Sequence, residues 1–161
     1  MTAFTTIETF AASIPTPGAL FGLDLGTKTI GLAISDAGRR IASPLVLINR
    51  TRFAADAEKL IALANEHRIV GLVLGLPLNM DGSEGPRVQA TRAFARNLAA
   101  LTPLPIGFWD ERLSTAAVTR TLIEADRSRK RRAELVDKMA AGYILQGLLD
   151  RLARMTPAGP P

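Results

Sequence analysis

Residues 69 to 75 read IVGLVLG, an unbroken apolar run. A strand covered on one side only alternates apolar and polar residues, because successive side chains point to opposite faces of the sheet. A run without alternation belongs in a sheet covered on both faces, as in parallel α/β architecture. This stretch therefore demands packing layers above and below a central strand, and the rest of the chain must supply them.

It does so in a recognisable order. ALFGLDL and TIGLAIS predict two strands joined as a hairpin at Gly26, Thr27 and Lys28, and a third strand is expected over Pro44 to Asn49. FAADAEKLIALANEH carries apolar residues at helical spacing. After IVGLVLG comes the Gly/Pro/Asp loop LPLNMDGSEG, and Pro86 then opens a helix to about Ala100. PIGFWD predicts a fifth strand ending at Asp110, and Ser114 caps a helix to about Ala125. The basic loop RSRKRR precedes a last helix from about Glu134 to Arg154. Three antiparallel strands followed by alternating helix and strand give a mixed α/β sheet with helices on both faces. Residues 1–18 read as a flexible arm, 19–154 as one folded domain and 155–161 as a flexible tail.

Composition narrows the function classes. The chain has no cysteine and one histidine, so disulfides, thiolate metal sites and mechanisms needing two histidines are excluded. The absence of cysteine suits a cytoplasmic protein. No stretch approaches the roughly 20 apolar residues of a membrane span, and the start lacks the basic region of a signal peptide. The net charge of +5 points to a polyanion such as nucleic acid. Aromatic residues make up 5%, too few for broad base-stacking platforms, so recognition should rest on phosphates and shape.

Three acidic positions stand in apolar surroundings. Asp24 sits between Leu23 and Leu25 near the end of the first strand. Asp110 and Glu111 lie at the end of the fifth, where ligand sites form in α/β sheets. Alternation lets at most one of that pair face a given site. In ELVDKMAAGYILQGLLDRL, a wheel of about 100° per residue places Asp137 with Ile144 and Leu148 on the apolar stripe. A buried carboxylate must be paired, hydrogen-bonded or bound to metal. If acids from these three segments converge, their repulsion requires a cation. Ligation by oxygen alone favours Mg²⁺ or Mn²⁺, ions that assist in-line attack on phosphodiesters.

GLDLGTKTIGLAISD, VLGLPLNMDGS, WDERLST and VDKMAAGYILQGLLD, in this order, resemble the YqgF family, also called RuvX. The resemblance runs from about Leu20 to Leu152. It implies an RNase H-like fold related to the Holliday junction resolvase RuvC: a five-stranded mixed sheet of order 3-2-1-4-5, strand 2 antiparallel, flanked by helices. It also implies a nuclease maturing the 5′ end of pre-16S rRNA in ribosome biogenesis, with Asp24, Glu111 and Asp137 as catalytic metal ligands. Choosing Glu111 over Asp110 rests on the resemblance. A junction resolvase acting on branched DNA and a non-catalytic ribosome-assembly factor are the alternatives. The expected partners are pre-rRNA and ribosomal particles, with no membrane.

The remaining candidates are cations. Lys28 stands in the hairpin turn beside Asp24, either touching a phosphate or solvated. Arg112 either stabilises charge developing on phosphorus or holds the site carboxylates in place. Arg129, Lys130, Arg131 and Arg132, just before the helix bearing Asp137, read as a clamp on a nucleic-acid backbone. The stretch GLDLGTKT also resembles a P-loop, but that motif needs glycine at Thr27 and a following helix, where this chain has a strand.

Overall fold

The computed structural model describes residues 3–4, 6–113 and 129–155, with side chains over 6–113 and 139–155. In chain order the elements are β1 (Ala3–Phe4), α1 (Ile7–Ser13), β2 (Ala19–Leu25), β3 (Thr29–Ser35), β4 (Ala42–Asn49), α2 (Phe53–Glu66), β5 (Ile69–Leu76), α3 (Pro86–Ala99), β6 (Ile106–Asp110) and α4 (Arg129–Met155). The expected helix from Ser114 to Ala125 lies outside the described residues. Among the described residues, no helix is long and apolar enough to cross a membrane.

The strands form one sheet of order β1-β6-β5-β2-β3-β4. Without β1 this is the expected mixed sheet 3-2-1-4-5, and β3 is antiparallel to both its neighbours. The additional margin is β1, which pairs in parallel with β6. On the opposite margin, β4 has a register shift across from Leu32 and Ala33, with Pro44 beside it. Proline lacks the N–H of a ladder donor and is tolerated at such an outer, irregular position.

Alternation assigns the two faces. Phe21, Leu23, Leu72, Leu74 and Phe108 pack with Leu60 of α2 and with Val88 and Leu98 of α3. Leu20, Ala33, Val73 and Trp109 point the other way, toward Ala141, Ile144, Leu145 and Leu148 of α4. The IVGLVLG strand is thus covered on both sides, as its lack of alternation requires.

On the α4 face, glycines set the distance between layers. A Cβ at Gly22 would lie 2.7 Å from Cβ of Leu145 and 3.0 Å from the Ala141 carbonyl oxygen. A Cβ at Gly75 would lie 2.4 Å from Cδ1 of Ile144. At Gly22 the atoms met are a Cβ and backbone, so any side chain there would push the helix off the sheet, whereas at Gly75 the tips of Ile144 and Glu111 would have to turn aside.

Two sequence expectations are corrected. The arm expected to be flexible contains α1, which is seated on the sheet by buried Phe10 and Ile14. Gly71 and Gly107 leave the recess that the Phe10 ring fills, since a Cβ at Gly107 would lie 2.7 Å from Phe10 Cγ. Burying such a side chain contributes about 1.5–3 kcal/mol toward ordering the segment. Thr6 caps the helix by accepting the Thr9 N–H at 3.1 Å, and Arg39 ties down the segment's end by donating to the Gly18 carbonyl at 2.7 Å. The second correction concerns the basic run. Arg129 to Arg132 are already helical, at the start of α4 as described, where the sequence predicts a loop. Arginine and lysine are good helix formers, and the repulsion between like charges costs only a few tenths of a kcal/mol per pair.

The glycine contacts make a paired prediction. Gly22→Ala should destabilise the fold by about 1–3 kcal/mol, because the backbone of α4 must move. At Gly142, also in α4, a Cβ would find nothing nearer than 3.9 Å, that neighbour being Pro44. Gly142→Ala should therefore gain about 0.5–1 kcal/mol from helix preference. Thermal denaturation of the two variants tests both signs.

Candidate functional site

Asp24 lies one residue before the end of β2, on the face covered by α4, because it shares the side of Gly22. It is 1% exposed. Its cross-strand neighbour on β3 is Gly31. On the other side, the β2–β5 register ends at Leu23 with Leu74, so the next position in register sets Asp24 beside Gly75. Glycine thus flanks the carboxylate on both sides, and over Gly75 the Ile144 side chain and the Glu111 carboxylate take the place of a side chain.

Glu111 reaches the same place from the far side of β5. Gly75 pairs with Trp109 of β6, and the chain then turns through one 3₁₀ turn, Glu111–Leu113. Glu111 is 4% exposed, and its Oε2 would lie 2.9 Å from a Cβ at Gly75. Neighbouring strands are about 4.8 Å apart, so two buried carboxylates straddle Gly75 on one face. Of Asp110 and Glu111, it is Glu111 whose carboxylate lies over Gly75.

Asp137 belongs to α4, one helical turn before Ala141, whose carbonyl oxygen packs over Gly22. Its side chain lies outside the described residues, as do those of Arg129, Lys130, Arg131 and Arg132. Among the described residues, no three His, Cys, Asp or Glu side chains are grouped to hold a metal ion. What the structure brings together is the pair Asp24 and Glu111. Their chemistry fits a hard divalent cation, since two carboxylates supply oxygen donors alone.

Lys28 is exposed in the β2–β3 turn, and its carbonyl accepts the Arg50 N–H at 2.8 Å.

The matched family model is described as RuvX, Holliday junction resolvase, and it covers residues 18–151. The chain belongs to the RuvX family. A Cereibacter sphaeroides protein named "Putative pre-16S rRNA nuclease" is 69% identical over 146 residues, 91% of each chain. A Paracoccus denitrificans protein of the same name is 67% identical, covering 91% of this chain and 92% of its own. Among solved structures, Thermus thermophilus RuvC in complex with a Holliday junction substrate has a TM-score of 0.52 at 14% identity. The match spans 89% of this chain and 99% of that one. At that identity the likeness shows the fold alone.

Within this RuvX chain, Asp110 has a different task from Glu111. Its carboxylate accepts the Arg112 backbone N–H at 3.0 Å, capping the turn that carries Glu111. It also takes the Arg112 guanidinium through Nη2 at 2.7 Å and Nε at 3.0 Å. Arg112 in turn donates from Nη1 to the Met80 carbonyl at 3.3 Å, on the loop between β5 and α3. That loop is closed by the Gly82 N–H on the Asn79 carbonyl at 2.8 Å, with Gly82 at φ 88°. Arg112 thus ties the end of β6, through Asp110, to the loop before α3. A signal for it exists in the sequence, since an Asp and an Arg two residues apart after a strand can close this ring.

Partial burial pushes the Asp110 carboxyl up, but the hydrogen bonds from Arg112 outweigh it and hold the group below the ordinary carboxylate range. A lowered folded pKa stabilises at neutral pH, and that contribution is lost as pH falls through the lowered value. Asp110→Asn should therefore reduce stability at pH 7. The gap to wild type should close in strong acid, where Asp110 is itself protonated. Urea denaturation across that pH range is the measurement.

Proposed function

We propose that the chain is a Mg²⁺- or Mn²⁺-dependent nuclease that hydrolyses phosphodiester bonds and acts on the 5′ end of pre-16S rRNA. The observation that carries this is the burial of Asp24 and Glu111 on the same sheet face, on either side of Gly75. Carboxylates side by side on one face supply the oxygen ligands that a hard divalent ion takes. The family and the names of its close relatives support the same reading.

Asp24, Glu111 and Asp137 would hold the metal. When bound, such an ion lowers the pKa of water and stabilises the charge on the attacking and leaving oxygens. The chain's own part is geometric. β2 fixes Asp24, and the turn capped by Asp110 fixes Glu111. α4 carries Asp137 one helical turn before Ala141, whose carbonyl oxygen packs over Gly22. Lys28 and the run from Arg129 to Arg132 would grip phosphates and hold the scissile bond in place, with ribosomal particles as the setting.

The test is cleavage of a 5′-extended 16S rRNA fragment and of a four-way DNA junction, with Mg²⁺, with Mn²⁺ and with EDTA. The expected result is metal-dependent cleavage of the RNA that Asp24→Asn and Asp137→Asn each abolish, while both variants still fold and bind RNA. Cleavage of the junction alone would move the activity to branched DNA. Binding without turnover by the wild-type chain would leave an assembly factor on an old fold.

A further inference from the structure

On the sheet face opposite the two acids, one residue beyond Asp24, two arginines from distant parts of the chain meet. Arg50 follows β4, and its Nη1 donates to the Gly26 carbonyl at 2.6 Å. Arg87, in the first turn of α3, donates from Nη2 to the Leu25 carbonyl at 3.2 Å. Together with Thr27 and Thr91 they line an open notch at the end of β2. Both are exposed, and Lys28 stands exposed in the same turn. Arg50 is further positioned over the Phe94 ring, 5.8 Å from its centroid.

Among the described residues, their charges are not met by carboxylates, as those of three other arginines are. Arg92 pairs with Glu84 at 2.8 Å, Arg112 with Asp110 at 2.7 Å and Arg151 with Glu8 at 3.8 Å. Among the described residues, neither Arg50 nor Arg87 has a carboxylate partner. A guanidinium has five N–H donors, and each of these two spends one on a main-chain carbonyl. Most of the donors, and both full charges, remain for a ligand. Fixed, paired forks of this kind match the oxygens of a phosphodiester.

We propose that Arg50 and Arg87 form a phosphate-binding pair that takes the nucleic-acid backbone next to the phosphate held at Asp24, on the flank of the sheet away from α4. The proposal deepens the nuclease reading and rests on it for the nature of the ligand. With the basic start of α4 it gives the substrate a path across the end of β2, gripped on both sides of the acids. Phosphodiester is common to RNA and DNA, so the pair fixes position and strand path and leaves base sequence unread.

The test is fluorescence anisotropy of the full chain with a labelled single-stranded RNA and with DNA of the same sequence, over a range of salt, in EDTA. For single strands the slope of log affinity against log salt falls by about 0.7 for each phosphate no longer neutralised. Arg50→Ala with Arg87→Ala should flatten the slope by about 1.4 on both nucleic acids, and each single variant by about half of that. Arg50→Lys with Arg87→Lys should restore most of the slope, since it keeps the charge. The proposal is overturned if affinity drops with the slope unchanged, or if the lysine variant is as defective as alanine, either of which marks a turn support only. Loss confined to RNA, or no salt-dependent binding by the wild-type chain, also overturns it. Because EDTA keeps the assay free of metal, binding without turnover in the cleavage assay would defeat the nuclease reading and leave this one standing. An unchanged slope beside normal cleavage would do the reverse.

Discussion

The close seating of α4 on the sheet is the constraint on which the rest depends. Gly22 and Gly75 admit the helix so closely that a single methyl at either would meet Leu145 or Ile144 well inside contact distance. Interiors are packed at crystal-like density, so a helix held this tightly has little freedom to slide or tilt. The same glycine that admits Ile144 leaves the recess into which Glu111 turns its carboxylate. Packing and chemistry meet at one residue. The sheet face on which the two acids are buried is the one covered by the helix that carries the third candidate.

Much of this is legible in the sequence because it rests on periodicity. The unbroken apolar run implies a doubly covered strand, and alternation separates Asp110 from Glu111. The choice between those two still needs either a known motif or the observed register, because strand alternation says only that they differ. Asp137 shows itself in the sequence through helical spacing, with Ile144 and Leu148 sharing its side of the wheel.

Other features are hidden for identifiable reasons. The first helix has its signal in Thr6 as cap and in Ile7, Phe10, Ala11 and Ile14 at helical spacing. A short segment with so few apolar residues is marginal alone, and only the glycine recess on the sheet makes it worth ordering. The run from Arg129 to Arg132 reads as a loop because dense charge suggests solvent, yet helices tolerate solvated charge well. Arg50 and Arg87 have no local signature. They lie on either side of a helix and a strand, and only the crossover that returns β5 beside β2 brings them to one turn.

The two margins of the sheet have a consequence of their own. A long, regular outermost strand is a template on which a neighbouring molecule can add another, and that route leads to tangled aggregates. Here one border is a stub, Ala3–Phe4, and the other is broken by Pro44 and a slipped register. Among the described residues, neither border presents a long unbroken row of backbone donors and acceptors, the pattern by which natural sheets discourage polymerisation through the main chain.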